Sequence, residues 1–500
     1  MKMTASPFDI LQYENHIGGI GLPANDGATF SSENPTIGLV DGKFADSSEP
    51  DVSYAVEVAH KAFVGPWSRL SPTDRGRLMM RWGDRLVDAA GKIATLETRQ
   101  NGKLFVEMLT QAKAASKWLY YYGGLCDKIE GAVIPLERSS VLNYTLREPL
   151  GVVGVIVPWN SPTFLTIMSI APVLAAGNVV VIKPSEITSA SAIELALLAE
   201  EAGFPPGVIN VVTGGRAAGE SLVAHPSVAK IVFTGGDVGG KLIAQAAGKR
   251  LASCTLELGG KNANIVFDDA NLAQAESGVL AGIFAAAGQT CVAGSRTYIH
   301  ESIYDEFVER ILDRVRQIRI GDPMLADIQM GPVATRQQLE KNESCIQRAL
   351  SEGAELLYGG HRIEVDDKPG GFFFAPSVLH KTDHKSWIMA NEVFGPVLTL
   401  TPFRSDSEVV HLANDSRYGL AAGIWTLNLR RAHSLAKQLQ AGTVWINTYR
   451  ALAFNSPFGG YKDSGIGRLN GVEAVSQYLQ TKSVWCELSD EVQDPFVLRT

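Results

Sequence analysis

The 500-residue sequence predicts an α/β chain built on a doubly wound parallel sheet. Three observations carry that expectation: an uncharged apolar run broken by turn residues, an alternation of strand and helix candidates after it, and a second alternating block further along. The run is Pro149 to Ile182. It is long enough to cross a bilayer. However, Pro158-Trp159-Asn160, Pro162, Pro172 and Gly177-Asn178 interrupt it, and one basic residue on each side (Arg147, Lys183) gives no charge asymmetry to orient a span. With turns at those points it becomes a strand (152–157), a helix (about 163–176) and a strand (179–182). That is a βαβ unit whose strands are buried on both faces and so show no polar alternation.

The alternation continues downstream. Residues 190–202 read as a helix and Gly203-Phe204-Pro205-Pro206-Gly207 as a turn. Residues 208–212 read as a strand, 219–224 as a helix start, 231–233 as a strand and 239–247 as a helix. An open parallel sheet of this kind takes ligands beyond the carboxyl ends of its strands. The second block runs from 263 to 447, with no internal repeat and no low-complexity linker between the two.

Composition sets bounds. A chain of this length has room for two to three domains with large cores, and 45% hydrophobic with 20% charged residues is ordinary for a globular protein. A net charge of −8 with no basic block argues against nucleic acid as a partner. Five scattered cysteines (126, 254, 291, 345 and 486) suggest a reducing compartment without a disulfide framework. Residues 1–25 carry acidic and polar side chains where a signal peptide needs an apolar core, so a cytoplasmic location is expected and no membrane partner. His380 and His384 flank what looks like a loop with no further ligands, and no metal is expected there.

Chemistry concentrates in two segments. Gly288-Gln289-Thr290-Cys291 ends an Ala/Gly-rich stretch, and the small residues Val292-Ala293-Gly294-Ser295 follow, so no sequence neighbour blocks the sulfur. A thiolate is the attacking species, which calls for a polar or electropositive setting and a proton-handling partner. Upstream, Glu257 stands in the apolar run Thr255-Leu256-Glu257-Leu258, followed by Gly259-Gly260. In an apolar niche its pKa would rise towards neutrality, which suits a general base for water. Each segment alone has a plainer reading: a small buried cysteine, and a glutamate on the solvent side of an edge strand. Their pairing gives them weight.

Together LELGGK (256–261) and GQTC (288–291) resemble the glutamate and cysteine signatures of the aldehyde dehydrogenase superfamily, in its usual order and separation. PWN (158–160), KPSE (183–186), FTGGDVGG (233–240), EVFGPV (392–397) and SPFGGYKDSG (456–465) extend the resemblance from about Ile20 to the Lys482 region. The resemblance implies a doubly wound parallel-sheet cofactor domain (1–120 and 145–257), an α/β catalytic domain (258–470) and a small β oligomerisation element (121–144 and 471–500). It also implies a homodimer or homotetramer and NAD-dependent oxidation of an aldehyde to its acid. Cys291 would form a thiohemiacetal and then a thioester. Asn160, otherwise good turn chemistry, would stabilise the oxyanion with the backbone N–H of Cys291. Glu257 would activate water for hydrolysis.

The same resemblance assigns cofactor contacts to Ile156, Trp159, Lys183, Ser185, Glu186, Gly215, Phe233, Gly235, Gly236 and Leu258, with the nicotinamide beside Glu392 and Phe394. Lys183 and Glu186 end a strand and can offer a ribose a donor and an acceptor; a carboxylate there favours NAD over NADP. Gly236-Asp237 departs from the serine-threonine pair common in the family's phosphate loop, where an acid is unexpected. The tunnel wall maps to Ser161, Met168, Thr290, Val292, Leu452 and Phe454, with Arg450 near the mouth, either solvated or an attractor of anionic substrate. Ser161 replaces a bulky aromatic common among relatives, implying a wider or more polar tunnel. A coenzyme A-acylating dehydrogenase and a non-catalytic binding protein on the same scaffold are the alternatives. The former typically lacks a glutamate at the position of Glu257, and the latter has little need of Cys291, Glu257 and Asn160 together.

Overall fold

In the computed structural model, which describes residues 10–492 and residue 496, the uncharged run folds as strand β1 (Val152–Val157), helix α1 (Pro162–Ala175) and strand β2 (Val179–Pro184). Every residue of β2 is buried, and so is every residue of α1 except Phe164. A continuous apolar sequence is what such doubly covered strands require. The expectations for residues 1–9 and for the end of the 471–500 segment lie outside the described residues. No helix among the described residues is long and apolar enough to cross a membrane.

The chain continues as α2 (Ala190–Glu201), β3 (Ile209–Val211), α3 (Arg216–Ala224), β4 (Val228–Gly235), α4 (Asp237–Gly248) and β5 (Ser253–Leu258). Hydrogen bonding orders these strands β5-β4-β1-β2-β3, all parallel. The chain therefore winds outward from β1 in one direction and, after crossing back, in the other. Right-handed crossovers place α1 and α2 on one face and α3 and α4 on the opposite face, and each pair is in contact. The reversal opens a crevice at the carboxyl ends of β1 and β4. Asn15–Ile17 extends the sheet beyond β3, with His16 opposite Val211.

A seven-stranded sheet holds β6 (Ala263–Val266), β7 (Arg296–His300), β8 (Ser377–His380), β9 (Val397–Phe403), β10 (Ala421–Trp425) and β11 (Thr443–Ile446). These run parallel in the order β8-β9-β7-β6-β10-β11, and Glu355–Tyr358 adds an antiparallel edge. Each large sheet has its own buried apolar core. Only Gly259-Gly260-Lys261-Asn262 separates the end of β5 from the start of β6, so the two sheets meet tightly there.

Two segments cross the boundaries expected from the sequence. Gly465–Ile466, inside the 258–470 block, pairs antiparallel with β5 and closes the edge of the first sheet. Val141–Pro149, which overlaps the start of the 145–257 block, pairs along its whole length with Leu479–Glu487 and with Val133–Ile134 in a separate three-stranded sheet. Helix α4 also starts at Asp237, two residues before the expected position. His380 and His384 turn to different carboxylates, Glu355 at 2.9 Å and Asp415 at 3.1 Å.

Candidate active site

The loop carrying Cys291 is held in an unusual backbone path. Ala286, Ala287 and Gly288 have φ of 58°, 51° and 71° in succession. Two consecutive left-handed alanines are strained and persist only where the surroundings dictate them. A Cβ on Gly288 would lie 2.0 Å from the Gly395 carbonyl oxygen, so only glycine admits the 392–397 segment this close. Two amides then fix the loop. Asn262 Nδ2 donates to the carbonyls of Cys291 (2.9 Å) and Ala293 (3.0 Å), while its Oδ1 accepts from Ala421 N (2.9 Å). Gln289 Oε1 accepts from Ala334 N at 2.8 Å. Asn262 follows the glutamate signature directly, yet nothing in its sequence setting marks it as the clamp of a loop 29 residues away.

Asn160 lies just past the carboxyl end of β1, buried, with Nδ2 donating to the Gln289 carbonyl at 3.2 Å. An amide nitrogen has two hydrogens, so this bond leaves one for a ligand. Both oxygens of Glu257 are buried without a hydrogen-bond partner among the described residues. Burial holds its carboxyl well above the ordinary value, opposed only by Arg468. Glu392 is raised to about 7 by burial, against the Gly260 N–H that donates to it at 3.0 Å. It lies over the glycine pair: a Cβ on Gly259 would sit 2.2 Å from its Oε2.

The polar or electropositive setting expected for Cys291 takes a mixed form, with Lys103 on one side of the balance and the carboxylates of Glu392 and Glu257 on the other. Burial pushes the thiol up to about 12, the Glu392 and Glu257 carboxylates push the same way, and Lys103 opposes them. At neutral pH the sulfur is therefore protonated, and its proton must leave as the sulfur attacks. Lys103 is a buried cation that the motif reading did not include, with Nζ 3.4 Å from Ser161 Oγ.

Cys291 and Asn160 share one cavity of about 470 Å³. All seven residues expected at the tunnel wall and mouth, from Ser161 to Arg450, line it. The helix Phe105–Gly123 adds Gln111, Lys117 and Trp118, which helical periodicity places on one face. These three were missed because they carry no local chemical signal.

A separate groove of about 560 Å³ lies between α3 and α4, lined by Ile156, Lys183, Gly215 and Phe233 of the expected cofactor set. Its apolar wall comes from Val223, Val238, Leu242 and Ile243. Lys183 is nearly buried and stands 3.4 Å from the exposed Glu186; burial lowers its pKa. Ser185 Oγ accepts from Ile187 N at 3.3 Å within its own turn. Gly236 caps α4 with open space where a Cβ would be, whereas Gly235 is packed against the Phe233 ring. Leu258 is buried and fills the space that a Gly240 side chain would need. Trp159 and Phe394 meet edge to face at 5.4 Å. The unexpected Asp237 has a partner: its Oδ2 lies 3.2 Å from Arg417 Nη2 and accepts from Tyr418 OH at 3.3 Å.

The family model described as the aldehyde dehydrogenase family matches residues 22–484. Among curated proteins, (Z)-2-((N-methylformamido)methylene)-5-hydroxybutyrolactone dehydrogenase of Acinetobacter baylyi is 42% identical, covering 98% of this chain and 100% of its own. An aldehyde dehydrogenase of Alternaria alternata is 43% identical over 94% of each chain. Among solved structures, betaine aldehyde dehydrogenase of Staphylococcus aureus in complex with NAD+ is 36% identical, with a TM-score of 0.95 over 98% of this chain and 97% of that one.

Proposed function

This chain belongs to the aldehyde dehydrogenase family and is an aldehyde-oxidising oxidoreductase, and from that premise we propose that it converts an aldehyde to its carboxylic acid with NAD through a cysteine thioester. One observation carries the reading: Cys291 and Asn160 open into one cavity, and both carboxyl oxygens of the buried Glu257 have no hydrogen-bond partner among the described residues.

In this mechanism sulfur bonds to the aldehyde carbon as the Cys291 thiol gives its proton to water, and that proton leaves to solvent as the one the overall oxidation releases. The free N–H of the Asn160 amide and the Cys291 backbone N–H stabilise the oxygen that becomes negative. Bound NAD supplies the acceptor for the hydride that leaves this carbon. Glu257, unpaired and buried, takes a proton from the water that cleaves the thioester; the acid departs and the thiol is restored. A retained base for water favours hydrolysis over transfer to coenzyme A.

The groove between α3 and α4 suits NAD. Val238 and Leu242 are 70% and 49% exposed along its wall, apolar surface suited to a flat ring. Lys183 and Glu186 offer a ribose a donor and an acceptor, and the open start of α4 presents backbone N–H groups suited to a diphosphate. The three-stranded sheet leaves Val133, Leu142, Leu146 and Trp485 exposed, which supports assembly as a homodimer or homotetramer.

The test is direct. Mixed with NAD and an aldehyde, the protein should generate NADH absorbance and an equal amount of carboxylic acid without coenzyme A. Cys291→Ala should lose turnover while binding NAD as the wild type does. No turnover by the wild type, a strict need for coenzyme A, or an active Cys291→Ala variant would overturn the reading.

A further inference from the structure

The charge lining the cavity is one-sided. Two cations face it, Lys117 from the helix Phe105–Gly123 and Arg450 from the opposing loop, and no aspartate or glutamate lines it among the described residues. Among the described ion pairs, the only carboxylate that reaches this group is Glu107. It stands 3.6 Å from Arg450 Nη2 and 3.7 Å from Lys103 Nζ, and it also accepts from Gln111 Nε2 at 3.0 Å. One carboxylate divided among three donors cannot neutralise both cations. Lys117, which is exposed, has no described ion-pair partner.

The placement of Arg450 is costly to maintain. Its φ is 61°, left-handed for a residue with a long side chain, and its Nη1 donates to the Ala281 carbonyl at 3.1 Å. A strained, tethered arginine at the rim of a cavity is fixed in direction, unlike a freely solvated one. Between the rim and Cys291 part of the wall is an aromatic box. Trp118 packs edge to face on Phe164 at 4.9 Å and on Phe454 at 5.9 Å.

A ligand that complements this cavity has an aldehyde at the thiol, an apolar middle against the aromatic box, and negative charge at the far end. Resting on the dehydrogenase reading of this site, we propose that the substrate is an aldehyde bearing a terminal carboxylate, with Lys117 and Arg450 as its specificity-determining cations. These two charges raise the local concentration of anionic aldehyde and hold its tail.

The experiment compares five-carbon aldehydes ending in carboxylate, methyl or trimethylammonium, first at low and then at high ionic strength. We expect kcat/KM for the carboxylate to exceed that for the trimethylammonium compound by about ten-fold or more at low salt, with the gap narrowing as salt screens it. In Lys117→Gln and Arg450→Gln, and more so in the double variant, the carboxylate-to-methyl ratio should fall towards one. A ratio taken within one variant cancels any loss of folded protein. Oxidation of the methyl-ended aldehyde without preference for the carboxylate, or a ratio unmoved in the double variant, overturns this inference alone. Failure of all three aldehydes overturns the dehydrogenase reading as well.

Discussion

Arg417 Nη2 lies 3.2 Å from Asp237 Oδ2, linking the segment before β10 to the first turn of α4. Tyr418 OH adds a hydrogen bond to the same oxygen, and Lys241, four residues further along α4, pairs with Asp463 at 2.7 Å. On the proposed reading, in which the start of this helix meets a diphosphate, a cation from the other sheet's connections compensates the acid.

Removing that cation should therefore weaken cofactor binding. Arg417→Ala is expected to raise KM and Kd for NAD by about three- to ten-fold by leaving the Asp237 charge uncompensated, and adding Asp237→Asn should recover most of the loss. Steady-state kinetics and fluorescence titration over the four proteins of the cycle measure it. Additive losses would show that Arg417 does not act through Asp237.

Glu257→Gln should separate acylation from hydrolysis. A single-turnover experiment should give a near-stoichiometric burst of NADH, then a steady rate about a hundred-fold or more below wild type. Stability should move the opposite way. The folded pKa of Glu257 is raised, so the stability linked to its proton is fully present below the ordinary value of 4.5 and is lost as pH rises through the folded value. The variant's Tm should thus gain on wild type as pH rises through that window. A Tm difference independent of pH would contradict the burial argument.

Cofactor choice should follow Glu186. A carboxylate facing the 2′ position repels the phosphate of NADP, so kcat/KM should favour NAD by roughly two orders of magnitude. Glu186→Ser should shrink the gap, mainly by weakening NAD. Equal wild-type values, or a ratio unchanged in the variant, would remove Glu186 from this role.

Gly288→Ala should be among the most damaging single-methyl changes. The left-handed φ and the 2.0 Å approach to the Gly395 carbonyl act together, so a loss of about 3 kcal/mol or more and displacement of the Cys291 loop are expected. Chemical denaturation and thiol-labelling rates read the two effects, and wild-type stability would refute the packing argument.

The first sheet was legible because its strands are buried on both faces: β1 ends at Val157 as expected, and β2 starts at Val179 as expected. Cys291 and Asn160 stand in short motifs, the tunnel-wall positions followed from the family resemblance, and these residues line one cavity. What stayed hidden depends on partners far away in sequence. Asp237 gave no hint of Arg417, 180 residues on. Lys117 and Trp118 carry no motif, and packing of Trp118 against Phe164 and Phe454 is what makes their helix part of the wall.

The pairing of Gly465–Ile466 with β5 also bears on how the chain matures during synthesis. The strand carrying Glu257 waits for a partner encoded about two hundred residues later. At ribosomal speeds that is about 10–40 s in which the edge of β5 is uncovered. An unprotected edge is a template for wrong pairing with other nascent chains. Chaperone dependence and aggregation on the ribosome should therefore centre on Ser253–Leu258, and slowing translation across the intervening residues should worsen yield more than slowing it elsewhere.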